Sequence, residues 1–126
     1  MARIKHIAIR TANPEKTAAF YTEVFGLEQV GLGKNGIYLS DGHINLAILK
    51  PHDDTARSGV EHIGFQVEDM QGTLDRLEKI GGKTIADHEN QQASDPSVPQ
   101  SYFEIKCLGP DDQVIDISTA GWVGTD

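Results

Sequence analysis

The chain has 126 residues, 38% of them apolar, which is enough for one domain to bury a sizeable core without disulfides. Its net charge of −8 argues against nucleic acid or an anionic membrane as partner, since both select a basic surface. The lone Cys107 has no internal partner and fits a reducing cytoplasm; Met1-Ala2-Arg3 runs straight into a strand, so no signal peptide is expected, and no apolar run is long enough to span a membrane.

Ile4 to Arg10 alternates as a strand, with His6, Ala8 and Arg10 on one face and Ile7 and Ile9 on the other. Asn13-Pro14-Glu15 opens a helix with a capping side chain, a proline at the first position and an acid in the first turn. Ala18, Tyr21, Val24 and Phe25 follow at helical spacing, with Phe20 beside them, and Gly26 closes the helix in a left-handed cap. Tyr21 and Phe20 are expected in the core. Strands follow at Leu27 to Leu32, Ile37 to Ser40 and Ile44 to Leu49, separated by turns at Gly33-Lys34-Asn35-Gly36 and Asp41-Gly42.

After a polar stretch from Lys50 to Gly59 the order restarts. His62 to Val67 is a strand with His62, Gly64 and Gln66 on one face, and Asp69 caps a helix carrying Met70, Leu74, Leu77 and Ile80 that ends at Gly81-Gly82. Setting His6 on His62 places Ala18 on Leu74, Tyr21 on Leu77, Val24 on Ile80 and Gly26 on Gly82 without a gap, which marks an internal repeat. Strands at Lys83 to Ala86, Tyr102 to Leu108 and Val114 to Ser118 complete the second copy, with Ile44-Asn45-Leu46 matching Ile115-Asp116-Ile117. The expected organisation is a single domain: module one at about 3–50, a linker at about 51–59 and module two at about 60–120. An insertion at Asp87 to Gln100 is polar, carries Pro96 and Pro99, and is of a length typical of lids, binding loops or disorder. Trp122 lies beyond the last strand, where it can pack on the body, cover a pocket or meet a partner chain.

Two tandem β-α-β-β-β modules, each opened by a His strand, resemble the vicinal oxygen chelate superfamily. That group includes glyoxalase I, methylmalonyl-CoA epimerase, extradiol dioxygenases, fosfomycin-resistance enzymes and bleomycin-resistance binding proteins. The pieces that carry the resemblance are His6-Ile7-Ala8-Ile9, Phe20 to Leu27, His62-Ile63-Gly64-Phe65, and Gly109 to Asp116. It implies an α+β fold of half-barrel sheets around a shared cavity, and a homodimer that covers open sheet edges. By position it also implies metal ligands at His6, His62 and Asp116. The family's fourth position, a Glu or a Gln in relatives, falls on Asn45, and Asp116 is one methylene shorter than the usual Glu. His43 is the nearest substitute for a fourth ligand.

Two imidazoles and a carboxylate leave open positions on a divalent ion such as Fe, Ni, Co, Zn or Mn, suited to a substrate with two adjacent oxygens. The structural alternative is that both His residues only line a polar cavity. Tyr102, Glu104, Lys106 and Leu108 share a strand face, which makes Glu104 a candidate general base; the competing reading is an exposed Glu104–Lys106 pair. Asn45, Arg10 and Gln66 are candidate contacts to a polar substrate, whereas His52 and His88 read as incidental loop residues. The resemblance favours a metal-dependent enzyme of the glyoxalase or epimerase sort, lyase or isomerase, acting on a small oxygen-rich molecule. The alternatives are extradiol ring cleavage and a metal-free binding protein in the manner of bleomycin sequestration, to which an acidic chain is suited.

Overall fold

The computed structural model describes residues 1–53, 58–89 and 103–126. The first module runs β1 (Arg3–Arg10), α1 (Pro14–Phe25), β2 (Glu28–Gly33), β3 (Gly36–Ser40) and β4 (Asn45–Leu49). The second runs β5 (Gly59–Gln66), α2 (Met70–Lys79), β6 (Thr84–Glu89), β7 (Phe103–Leu108) and β8 (Val114–Ser118). The α+β architecture and the repeated element order are those expected from the sequence. Asn13 and Asp69 cap their helices as anticipated, accepting from the backbone N–H groups of Lys16 and Gly72 at 3.1 and 3.0 Å. No helix among the described residues is long and apolar enough to cross a membrane.

The two helix ends are not equivalent. Gly26 adopts φ 73° after a helix of 12 residues, but α2 has 10, and its left-handed residue is Gly81 (φ 85°) rather than the aligned Gly82. The strand starting at residue 84 continues to Glu89, so Asp87, His88 and Glu89 belong to β6 and not to a loop. The rest of the insertion, and Tyr102, lie outside the described residues.

All eight strands join one sheet in the order β2-β3-β4-β1-β5-β8-β7-β6. Within each module the first strand runs parallel to the last, β1 with β4 and β5 with β8. The modules meet through antiparallel β1 and β5. The registers are the main positional fact of the fold: Asn45 pairs with His6, His6 with Gly64, and Gly64 with Asp116. Four chain segments remote in sequence are thus brought into one row at the centre of the sheet. His62 lies two residues along from Gly64, on the same side of the strand.

One face of the sheet is apolar and carries the helices. Ala18 packs on Leu39 and Ile48 with Tyr21 and Leu27; Met70, Leu74 and Leu77 pack around Val67, Cys107 and Ile117. The remaining helix apolars do not join these cores. Phe20, Val24, Phe25 and Ile80 are 53–84% exposed, so the expected burial of Phe20 is overturned, and the Val24–Ile80 match of the repeat is not a core position. Phe20 stands two positions from buried Ala18 and so on nearly the opposite side of α1, while Val24, Phe25 and Ile80 sit at the helix ends. The opposite face divides by module. In module one Ala8, Tyr38, Ala47 and Leu49 form an apolar cluster on it, with Val123 lying against them, next to buried His6 and Asn45. In module two it carries His62, Glu104 and Asp116, all buried.

Candidate metal centre

His6, His62 and Asp116 converge at the junction of the two modules. The two Nε2 atoms are 3.1 Å apart, and Asp116 Oδ2 lies 3.1 Å from that of His62 and 4.0 Å from that of His6. All three residues are at least 94% buried. Adjacent donors held about 2.1 Å from a common ion stand about 3 Å apart, which two of these three separations match.

The hydrogen-bond partners of the imidazoles assign the tautomer of each Nδ1. Asn45 Nδ2 donates to Val123 O at 2.9 Å, which leaves its Oδ1 facing His6 Nδ1 at 2.8 Å. An amide oxygen only accepts, so His6 Nδ1 carries the proton. His62 Nδ1 faces Glu61 Oε1 at 3.1 Å. Arg10, paired through Nε and Nη2, holds Glu61 well below the usual carboxylate range, at about 2, with help from His62, although burial opposes it. Glu61 therefore also accepts, and His62 Nδ1 is protonated too. Burial, then the neighbouring His62, lowers the His6 pKa to about 4, so that ring is neutral near pH 7. His6 Nε2 then presents its lone pair towards His62 Nε2, and Asp116 Oδ2 lies beside both rings, buried and close to each Nε2. Each of the three residues offers one ligand atom, and these atoms lie within 4.8 Å of one another. The donor set fits a divalent metal, with both rings oriented through their second nitrogens.

Lys106 completes the arrangement. Its Nζ donates to Asp116 Oδ1 and lies 3.8 Å from Glu104 Oε1, so Asp116 turns only Oδ2 towards the His pair. Burial opposes ionisation of Asp116, but His62 and Lys106 outweigh it and hold the carboxyl below its ordinary range. Glu104 goes the other way. It is 8% exposed, and burial together with the nearby Asp116 pushes it up to about 7, against the pull of Lys106. The exposed-pair reading of Glu104 and Lys106 is therefore replaced by a buried cluster.

Residues 3–94 match the model of the Glyoxalase/Bleomycin resistance protein/Dioxygenase superfamily. The chain belongs to this superfamily. Its fold is shared with methylmalonyl-CoA epimerase from Mycobacterium tuberculosis at 15% identity and TM-score 0.72, over 91% of this chain and 85% of that one. The Streptomyces coelicolor epimerase in complex with 2-nitronate-propionyl-CoA is similar at 18% identity and TM-score 0.71, over 92% and 95%. The 2,3-dioxygenase LapB from Pseudomonas sp. KL28 gives 22% and TM-score 0.72; 98% of this chain spans 42% of that one.

Within this glyoxalase-type scaffold the anticipated residues are placed unevenly. Asn45 sits behind His6, on Nδ1, and not beside the Nε2 atoms. Arg10 is turned to Glu61 and to the Lys50 carbonyl, 2.7 Å from Nη1. Gln66 Nε2 reaches Thr119 O at 3.4 Å, away from the cluster. His43 is 71% exposed and meets Asp126, so it is no fourth ligand. His52 Nε2 lies 3.5 Å from Glu61 Oε2, and His88 is in β6, in register with Glu104.

Glu61 escaped the sequence pattern, and Trp122, flagged there, is placed by the structure. Glu61 should alternate away from His62, but the pairing steps from Ala8–His62 to Ile9–Val60, leaving Glu61 as an unpaired bulge residue whose side chain meets the His62 ring. Trp122 stacks on His6 with centroids 4.8 Å apart and planes at 2°. Of its three anticipated positions, the structure selects packing on the body.

Proposed function

We propose that this chain is a divalent-metal-dependent enzyme of the glyoxalase or epimerase sort, a lyase or isomerase. It acts on a small oxygen-rich substrate, with His6, His62 and Asp116 as metal ligands and Glu104 as general base. The convergence of three ligand-type atoms in one buried cluster carries this reading. When bound, the ion supplies Lewis acidity towards a substrate offering two adjacent oxygens. Asn45 and Glu61 keep the two rings turned with Nε2 forward. Lys106 holds Asp116 in its ligand posture and limits the charge of the cluster. Glu104 is set to take a proton from the carbon next to a carbonyl and return it, which is the step that lyases and isomerases of this type share. The epimerase likeness in fold agrees with proton transfer at such a carbon.

The test is deuterium incorporation. Metal-loaded protein in D₂O is given a panel of 2-substituted malonyl thioesters and 2-oxoaldehyde–thiol adducts and followed by NMR. Exchange at the carbon next to the carbonyl is expected for at least one class, and Glu104→Gln should slow it by about 10²–10⁴-fold while leaving metal content unchanged. Metal-replete protein that exchanges nothing across the panel overturns the reading. Oxygen consumption with catechols would then favour ring cleavage, the second reading, which the two-His, one-carboxylate donor set also supports. Tight binding of a cationic drug by metal-free protein would favour the binding-protein alternative.

The proposal includes a homodimer in a reducing, cytoplasmic setting. The exposed apolar side chains Phe20, Val24 and Phe25 on α1 and the sheet edges β2 and β6 are surfaces that pairing would cover. Light scattering should give twice the chain mass, and a monomer at tens of micromolar would remove this element.

A further inference from the structure

We propose that the segment after β8, residues 119–126, is a brace for the metal centre and that Trp122 is a positioning residue for His6. The inference rests on the metal reading above. Ser118 Oγ accepts from the backbone N–H groups of Ala120 and Gly121 at 3.2 and 3.3 Å, turning the chain back across module one. There it is fastened at four successive points. Trp122 stacks on His6 and is 5% exposed. Val123 O takes the Asn45 amide at 2.9 Å, and Gly124 O accepts from Ser40 Oγ at 2.7 Å. Asp126 is gripped by Lys5 and, at 3.0 Å, by His43 Nδ1.

The brace acts on His6 twice. The indole covers one face of the ring, and Val123 O decides which end of the Asn45 amide meets Nδ1. Without that carbonyl the amide is free to reverse, and an NH₂ at Nδ1 would demand the other tautomer, with the proton on the ligand atom Nε2. Gly64 shows that space is kept for this contact. A Cβ there would stand 2.7 Å from the indole and 2.8 Å from His6 Cβ. The equivalent residue of the first copy is Ala8. Lys5, like Glu61, is skipped by the β1–β5 register, and both bulged residues directly precede a ligand His. One secures the brace and the other secures His62.

The experiment compares wild type, Trp122→Ala and Trp122→Phe on the full chain, with two readouts. Cobalt(II) affinity should fall by about 10–100-fold in Trp122→Ala, with an altered visible spectrum, and return to within a few-fold in Trp122→Phe, which restores a flat ring. In metal-free protein, long-range ¹⁵N spectra of the imidazoles should show His6 as a single Nδ1–H tautomer in wild type and a mixture in Trp122→Ala. An unchanged tautomer in folded Trp122→Ala overturns the brace, whatever the metal result. A wild type that binds no cobalt, yet loses its tautomer in Trp122→Ala, removes the metal reading and leaves the brace standing.

Discussion

His62→Ala is expected to leave the protein folded and without metal. Wild type purified without tag or chelator should carry about one equivalent of Fe, Ni, Co, Zn or Mn per chain, a figure set by one three-donor site. The variant keeps only His6 Nε2 and Asp116 Oδ2, which are 4.0 Å apart, too few donors to hold an ion through purification. Folding should survive because Asp116 retains its partner Lys106 and Glu61 its partner Arg10. The thermal behaviour separates the two proteins further. Metal at 100 times its dissociation constant stabilises the native state by about 2.7 kcal/mol, roughly 10 °C for a domain of this size. A chelator should therefore lower the melting temperature of wild type by that amount and leave His62→Ala unmoved. Wild type that stays empty after incubation with each of the five ions would sink the metal centre. The identity of a retained metal selects between oxygen-consumption and proton-exchange assays.

Gly64→Ala is expected to cost about 1–3 kcal/mol, the usual range for forcing atoms into a filled interior, and to lower the melting temperature by roughly 4–10 °C. The added methyl would lie 2.7 Å from Cζ2 and Cη2 of Trp122 and 2.8 Å from Cβ of His6. Neither neighbour yields easily. His6 is fixed by strand pairing on both sides, and Trp122 by the stacking and by the segment that carries it. Because Gly64 pairs with both His6 and Asp116, any backbone shift that accommodates the methyl also spreads two of the ligands. Metal affinity should fall together with stability. Thermal melting of the metal-free protein checks the first effect and cobalt titration the second. A variant as stable as wild type would mean that the indole does not occupy this position in solution.

Both expectations depend on information of two kinds. The repeat, the strand alternation and the two His residues at equivalent positions were legible in the chain, because periodicity and spacing are local properties. So was Asp116, whose place follows from matching the last strands of the two copies. Glu61 and Lys5 were not legible in this way. Alternation sends each to the face opposite its neighbouring His, and only the register shifts between β1 and β5 turn them into bulged residues with work beside the site. Asn45 was singled out as the fourth family position or a substrate contact; the structure puts it on Nδ1 of His6, behind the Nε2 atoms. Glu104 was flagged by alternation, while its burial beside Asp116 and Lys106 required strands β7 and β8 to pair.

The sequence by itself determined the elements and the repeat, since each follows from residue order over a few positions; the three candidate donors came from the resemblance that those residues carry. Tertiary structure alone decided how those donors are presented. The carbonyl that orients Asn45 lies 78 residues away in the chain, at Val123, and the ring that stacks on His6 arrives from beyond the last strand. Hydrogen-bond partners of that separation leave no periodic trace. They are fixed only when strand registers and a returning segment bring remote groups within 3 Å of one another, and that proximity orients the His6 ring in the candidate metal centre.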